Sequence, residues 1–286
     1  MQNYVIFGTL LALGTALPLA WKWQLGIFRS VLFVLAVSVL VGAALTAIGR
    51  LLHFTTAAGV AAMWVATVLA VLAGLLVVFF RDPDRSVPAR EDVIVSPADG
   101  RVIYVRPVRP GQLPVAEKKR RAYWLRELAG TAIGDMGAVA IGISMDLSDV
   151  HVNRAPVPGR VRLIERVPGT FGSLRDPGMR LSNERVTTVV QGEDLQVAVV
   201  QIASRLVRRI VTFVTQGDAV RLGQRVGAIR FGSQVDLLLP DTSDVKVAVG
   251  EGDRVVAGRT IVAVTASGRP GATVPAHRIE DLVDGA

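Results

Sequence analysis

Residues 225–240, RVGAIRFGSQVDLLLP, hold two short apolar runs rich in Val, Ile and Leu, punctuated by glycine and closed by a proline. The same texture extends outward in both directions: VIVSPADGRVIYV (93–105), GAVAIGI (137–143), GRVRLIERVPG (159–169), TTVVQG (187–192), LQVAVVQIA (195–203), VKVAVGEGDRV (245–255) and TIVAVTA (260–266). Short β-branched runs with a turn signal every 8–12 residues or so predict a mainly β, sandwich- or barrel-like domain. Its expected extent is residues 81–266, followed by a Gly- and Pro-containing, loosely ordered tail over 267–286. One stretch departs from the pattern. VAEKKRRAYWLREL, residues 115–128, reads as a charged surface helix, either lying on a membrane with Trp124 at the interface or simply solvated.

Upstream of residue 81 the composition changes abruptly. Residues 1–80 contain no Asp or Glu and only Lys22, Arg29 and Arg50 as strong bases, so the remaining 29 basic and all 24 acidic residues lie in the part that follows. Uncharged stretches cover residues 4–20, 30–49 and 57–80. A bilayer core of about 30 Å takes roughly 20 helical residues, so the second and third are long enough to span. The first is short and contains Pro18, which makes two to three transmembrane helices the expectation for a membrane anchor over 1–80. A cleaved signal peptide is the competing reading of the first stretch, but Met1-Gln2-Asn3-Tyr4 lacks a basic start. With Lys22 and Arg29 in the first loop and Arg81, Arg85 and Arg90 after the third segment, three spans put the large domain in the cytoplasm, at the cell membrane.

The large domain carries a net charge of +5 from those 29 bases and 24 acids. Beside a membrane anchor, that sign favours anionic lipid headgroups over nucleic acid as partner. The absence of cysteine removes disulfides, thiolate nucleophiles and thiolate metal sites.

Residues able to do chemistry are sparse. His53 lies in the apolar part and His277 in the tail, leaving His151 in the domain. There is no HExxH, GxSxG or Walker pattern, so no metal site is expected and hydrolase or NTPase chemistry finds no support. Three contexts stand out: Asp99 in Ser96-Pro97-Ala98-Asp99-Gly100, His151 and Arg154 in DVHVNRAP, and Ser233 in FGSQVD. Each alone has a structural explanation, the first as turn chemistry. Together an Asp, a His and a Ser are what nucleophile activation needs, though the sequence does not show them to be close.

The segments VVFFRDPDR (77–85), SPADGRV (96–102), DVHVNRAPVPGRV (149–161), NERV (183–186), QIASRLVRRIV (201–211) and RFGSQVDLLLP (230–240) resemble phosphatidylserine decarboxylases in their short prokaryotic form. The resemblance covers roughly residues 77–265 and keeps the family's order. It implies a pyruvoyl enzyme made by self-cleavage between Gly232 and Ser233, with no metal and no external cofactor. Ser233 would be the pyruvoyl precursor, Gly232 the end of the β chain, His151 the base and Asp99 its orienting partner. Two departures are visible: FGS stands where many bacterial members have LGS, and three apolar segments precede the domain. A second FGS, Phe171-Gly172-Ser173, is followed by the charged LRDPGMR rather than an apolar strand, which favours Ser233 as the site.

In the maturation so implied, Ser233 Oγ attacks the Gly232 carbonyl to give an ester. The ester opens by β-elimination to a dehydroalanine, and hydrolysis of its imine tautomer releases ammonia and leaves the pyruvoyl group on residues 233–286. That ketone would form a Schiff base with the amine of phosphatidylserine and take up the electrons released by CO2 departure, giving phosphatidylethanolamine. Arg154, expected on His151's side of a strand, and Asn183 and Arg185 are candidates for the lipid phosphate. The β and α chains would stay associated, and homodimerisation is left open. The alternative is a non-enzymatic adaptor of a transport or secretion assembly, because VKVAVGEGDRVVAGRTIVAV (245–264) resembles half of a lipoyl-type barrel-sandwich domain. It lacks the modifiable Lys of such domains, and an adaptor has no need of HVNRAP or FGSQVD.

Overall fold

A computed structural model describes residues 3–22, 25–52, 55–109, 115–118, 121–124, 133, 137–168, 184–193, 195–203, 210–229 and 234–266. Two compact units emerge, one formed by residues 1–81 with 146–150 and the other by the rest of the chain.

The first unit consists of helices α1 (Asn3–Lys22), α2 (Ile27–Leu52) and α3 (Thr56–Phe80). All three are long and apolar enough to cross a membrane, and α1 keeps Pro18 inside its last turns. Only 17–22% of the residues in their apolar windows are buried by protein, so most of that apolar surface faces outward, as a lipid solvent requires. Contacts between these helices include the Tyr4 hydroxyl, which donates to Thr46 Oγ1 at 3.1 Å. Thr55 caps α3 by accepting from the Ala58 N–H. Within the same unit Arg81 donates to the carbonyls of Val78 and Ser148, each at 2.7 Å.

The second unit is mainly β. Its strands are β1 (Val93–Val95), β2 (Gly100–Val108), β3 (Val115–Lys118), β4 (Arg121–Trp124), β5 (Ala138–Ser144), β6 (Val152–Arg154), β7 (Gly159–Val167), β8 (Arg185–Gln191), β9 (Gln196–Ile202), β10 (Ile210–Thr212), β11 (Ala219–Val220), β12 (Arg225–Ile229), β13 (Gln234–Pro240), β14 (Val245–Val247), β15 (Arg254–Val255) and β16 (Ile261–Thr265). An antiparallel eight-stranded sheet runs β11-β7-β8-β9-β13-β5-β2-β15. Smaller sheets are ordered β1-β16-β14 and β10-β12-β6, and β3 pairs with β4 alone.

Strand β13 sits inside the large sheet, paired with β5 along one edge and β9 along the other, and all seven of its residues are buried. A run such as QVDLLLP, with leucines on both faces, suits a strand covered on both sides. Val235, Leu237 and Leu239 enter the larger apolar cluster with Ile141, Ile143 and Val199. Leu238 enters a smaller one with Ala140, Val200 and Ile202 on the opposite face.

One expectation changes. The helix read over 115–128 is replaced, where the chain is described, by the β3–β4 hairpin, with Val115 opposite Trp124 and Lys118 opposite Arg121. The aromatic pair Tyr123-Trp124 favours a strand over a helix without an apolar stripe. The stretch at 245–264, which resembles half of a barrel-sandwich domain, pairs with strands from the start of the unit: β14 and β16 join β1, while β15 joins β2 at the rim of the large sheet. The tail read as loosely ordered lies outside the described residues.

Candidate active site

The turn carrying Asp99 is set by its own residues. Ser96 Oγ donates to the Ala98 carbonyl at 2.7 Å, and Gly100 takes φ 151° against β5. A Cβ on Gly100 would stand 2.2 Å from the Ser144 carbonyl oxygen, so only glycine lets the turn enter β2 there. The turn is also docked on β6, because the Pro97 carbonyl accepts the Arg154 N–H at 2.9 Å and Asn153 Nδ2 at 3.4 Å. Asn153 is fixed in turn by Gln201, which donates to its Oδ1 at 2.8 Å.

His151, 3% exposed, immediately precedes β6. Its carbonyl accepts the Ile229 N–H at 3.1 Å, continuing the β6–β12 pairing in which Ala228 faces Val152. The backbone of His151 therefore lies beside the end of β12. Residues 230–233, with Gly232 and Ser233, lie outside the described residues, as do Ser173 and Asn183. The chain re-enters at Gln234, which faces Ser144 of β5 and Ile202 of β9. Ser144 also faces Arg101, the residue after Gly100. So the Asp99 turn, His151 and both flanks of the Gly232–Ser233 bond are joined by backbone pairing through β5, β6 and β12.

Asp99 is 8% exposed and meets a cation that sequence reasoning quoted without giving it a role. Arg85 donates from Nη1 and Nη2 to the two oxygens of Asp99 at 2.5 and 2.8 Å, and the Ala257 N–H donates at 2.8 Å. Arg85 also reaches the Ala257 carbonyl at 2.8 Å. A forked guanidinium on a buried carboxylate is among the stronger charge-assisted pairs.

Arg154 does not share His151's side. It lies three residues on, and with the period of two along a strand an odd offset points to the opposite face. Its side chain is buried and donates to Gly223 O at 3.0 Å, Pro83 O at 3.0 Å and Asp82 Oδ1 at 3.2 Å. Burial, and then the charge of Arg225, pull its guanidinium below the ordinary arginine pKa. Arg225 is its register partner across β6 and β12. Two like charges facing each other are unfavourable, and Asp82 and Asp84 relieve them. Arg225 Nε donates to Asp82 at 2.5 Å and Nη2 to Asp84 at 2.8 Å. The RDPDR run at 81–85 thus supplies counter-charges to arginines far along the chain.

Arg185 is half-buried and starts β8 opposite Ile202, which also faces Gln234. It therefore lies on the same row and face as Gln234, two strand spacings or about 10 Å away.

A second polar cluster, which sequence reasoning missed, lies on β13 just beyond the Gly-Ser pair. Asp236, 1% exposed, accepts from the Tyr104 hydroxyl at 2.6 Å and from Gln234 Nε2 at 2.8 Å. Gln234 Nε2 also lies 3.3 Å from the Tyr104 oxygen. Tyr104 belongs to β2 and Asp236 to β13, and Gly142 of the intervening β5 faces both. A Cβ on Gly142 would be 2.4 Å from Tyr104 Cζ, so the ring can cross β5 only because that residue has no side chain.

Comparison with known proteins places these features together. The family model described as phosphatidylserine decarboxylase matches residues 72–263. Curated proteins named phosphatidylserine decarboxylase proenzyme are similar over most of their length. The one from Erythrobacter litoralis is 43% identical over 197 residues, covering 68% of this chain and 75% of its own. That of Geobacter sulfurreducens is 38% identical over 204 residues, 71% of this chain and 83% of its own. That of Zymomonas mobilis is 39% identical over 202 residues, 70% and 76% respectively.

Proposed function

Because the chain belongs to the phosphatidylserine decarboxylase family, we propose that it converts phosphatidylserine to phosphatidylethanolamine, after cutting itself between Gly232 and Ser233 and turning Ser233 into a pyruvoyl group. The observation that carries this reading is the anchoring of both flanks of the bond. Ile229 is tied to the His151 carbonyl, and Gln234 is paired on both sides within the large sheet. A break between the flanks leaves β13 held along both edges, so the residues 1–232 and 233–286 stay together as β and α chains without a covalent link.

In this reading His151 takes the Ser233 hydroxyl proton during cleavage, and Asp99 stabilises the imidazolium that results. The Arg85 fork holds the Asp99 carboxylate in place. The pyruvoyl ketone, once formed, supplies an electron sink for the pair left on carbon when CO2 departs. His151 can return a proton to that carbon, since imidazole changes charge near neutral pH. Arg185, on Gln234's row and face, offers a cation to the lipid phosphate, with Asn183 beside it in sequence. Arg154 acts from a distance, by fixing residues 82–83 against β6. The anchor and the basic surface engage anionic lipids, and the Lys22 and Arg29 flank orients the β unit to the cytoplasm.

Intact mass under denaturing conditions tests the reading. Cleavage before Ser233 of a 30.5 kDa, 286-residue chain gives fragments of about 6 and 25 kDa, the small one lighter than its serine form by the change from amine to ketone. Ser233→Ala is expected to abolish cleavage and decarboxylation together, and Ser173→Ala neither. A preparation that decarboxylates while showing only the full-length mass would sink the pyruvoyl assignment, and the reverse behaviour of the two serine variants would move the site to Ser173.

A further inference from the structure

Strand β13 has a register problem. Alternation of apolar and polar residues fixes strand register only where one face is buried and the other wet. Here both faces are buried, with Leu237 and Leu239 in one apolar cluster and Leu238 in the other. Shifting β13 along β5 and β9 would keep most of that burial. What a shift cannot keep is Asp236. A slip of one residue turns its carboxylate into the larger apolar cluster, among Ile141, Ile143 and Val199, where leaving it without donors is costly. A slip of two keeps the face but puts Asp236 opposite Ala140 or Ser144, away from the one gap through which Tyr104 reaches it.

We propose that Asp236, held by the Tyr104 hydroxyl across the side-chain-free Gly142, is the register pin of β13 and is thereby a positioning residue for self-cleavage three residues upstream. The proposal rests on the reading that Gly232–Ser233 is the bond cut. Each residue of slip displaces the strand by about 3.3 Å. An error of even 1 Å in a reacting group can slow a reaction about a hundredfold. Gln234 couples the pin to the cut, since its amide bridges Asp236 and Tyr104 one residue from Ser233.

The test uses the full-length chain in liposomes. The double variant Tyr104→Phe/Asp236→Leu removes the pin while leaving an apolar core, so its melting temperature is expected to recover most of what Asp236→Leu alone loses. Its cleavage, followed by the appearance of the small fragment after synthesis, is expected to stay slowed about a hundredfold or more. Because the chain has no cysteine, register can be read by disulfide trapping. Leu237→Cys faces Ile141→Cys in the observed register, and Val139→Cys or Ile143→Cys after a slip of two. With the pin intact only the 237/141 pair should lock, and without it a slipped pair should appear. Cleavage that recovers with the melting temperature, or exclusive 237/141 trapping in the double variant, would overturn the pin. A wild-type chain left uncut before Ser233 would instead sink the parent reading, and trapping alone would then decide the register.

Discussion

The turn at residues 96–100 and strand β13 each bury an aspartate of the β unit, and they satisfy it by different means. Asp99 stands at the rim of the sheet, where Arg85 can reach it from a segment that is not a strand. Asp236 lies inside the sheet between β5 and β9, and it accepts from the Tyr104 phenol across β5 and from the primary amide of Gln234 on its own strand. The first is a charge pair whose members depend on each other. The second is a carboxylate that accepts from a phenol and an amide and is tied to one backbone geometry. Removing a partner should therefore hurt stability most at Asp99, whereas shifting backbone geometry should hurt function most at Asp236.

The largest expected effect follows from the first half of that contrast. Asp99→Ala strands the buried Arg85 guanidinium, and breaking a buried pair by removing one member costs about 3–5 kcal/mol. Arg85→Met/Asp99→Leu, which removes both charges, should cost less in stability while still abolishing cleavage if Asp99 serves His151. Denaturant unfolding of the two variants checks this. A loss of only about 0–1 kcal/mol for Asp99→Ala, the range of an exposed pair, would erase the distinction between the two aspartates.

A smaller effect is expected at Gly142. Gly142→Ala pushes a methyl into the Tyr104 ring, and overpacking of this kind costs about 1–3 kcal/mol. If the ring is the cause, Tyr104→Ala in the same chain should relieve the strain, so the double variant would be less destabilised than additivity of the two single changes allows. Strict additivity in unfolding measurements would mean that Gly142 and Tyr104 are not coupled and would remove the geometric basis of the contrast.

This difference also explains what could be read from sequence. The β runs and the apolar helices were legible because period, turn residues and an acid-free N-terminal part are local signals. Asp99, His151 and Ser233 were legible as motif residues. Their setting was not: Tyr104 and Asp236 are 132 positions apart, and only the strand order β13-β5-β2 brings them within one hydrogen bond. Arg85 was hidden for the same reason, in a charged run that looks like a solvated linker. Arg154 was misjudged by strand parity, and residues 115–128 by charge density that concealed a hairpin. Long-range pairing, rather than local propensity, decides each of these cases.

The smallest effect marks the outer limit of the contrast, at the surface pair of Arg90 and Asp92. Arg90 donates to Asp92 from both Nε, at 2.9 Å, and Nη2. That bonding, opposed by partial burial, holds the Asp92 carboxyl below its ordinary range. A depressed folded-state pKa gives stability that is fully present above the unfolded value of about 3.9 and is lost as pH falls through the lower folded value. Asp92→Asn should therefore lower stability by a small, pH-independent amount near neutrality, and its difference from wild type should close as pH falls below about 4. The pair is partly exposed, so 1 M salt should shrink even this difference. The Asp92 carbonyl, which accepts the Thr265 N–H at 2.9 Å, survives the substitution and keeps β1 seated on β16. Thermal melts of wild type and Asp92→Asn between pH 3 and 7 decide it, and a difference that is absent at pH 7, or that does not close toward pH 3, would show that the Arg90–Asp92 pair does not act through its charge.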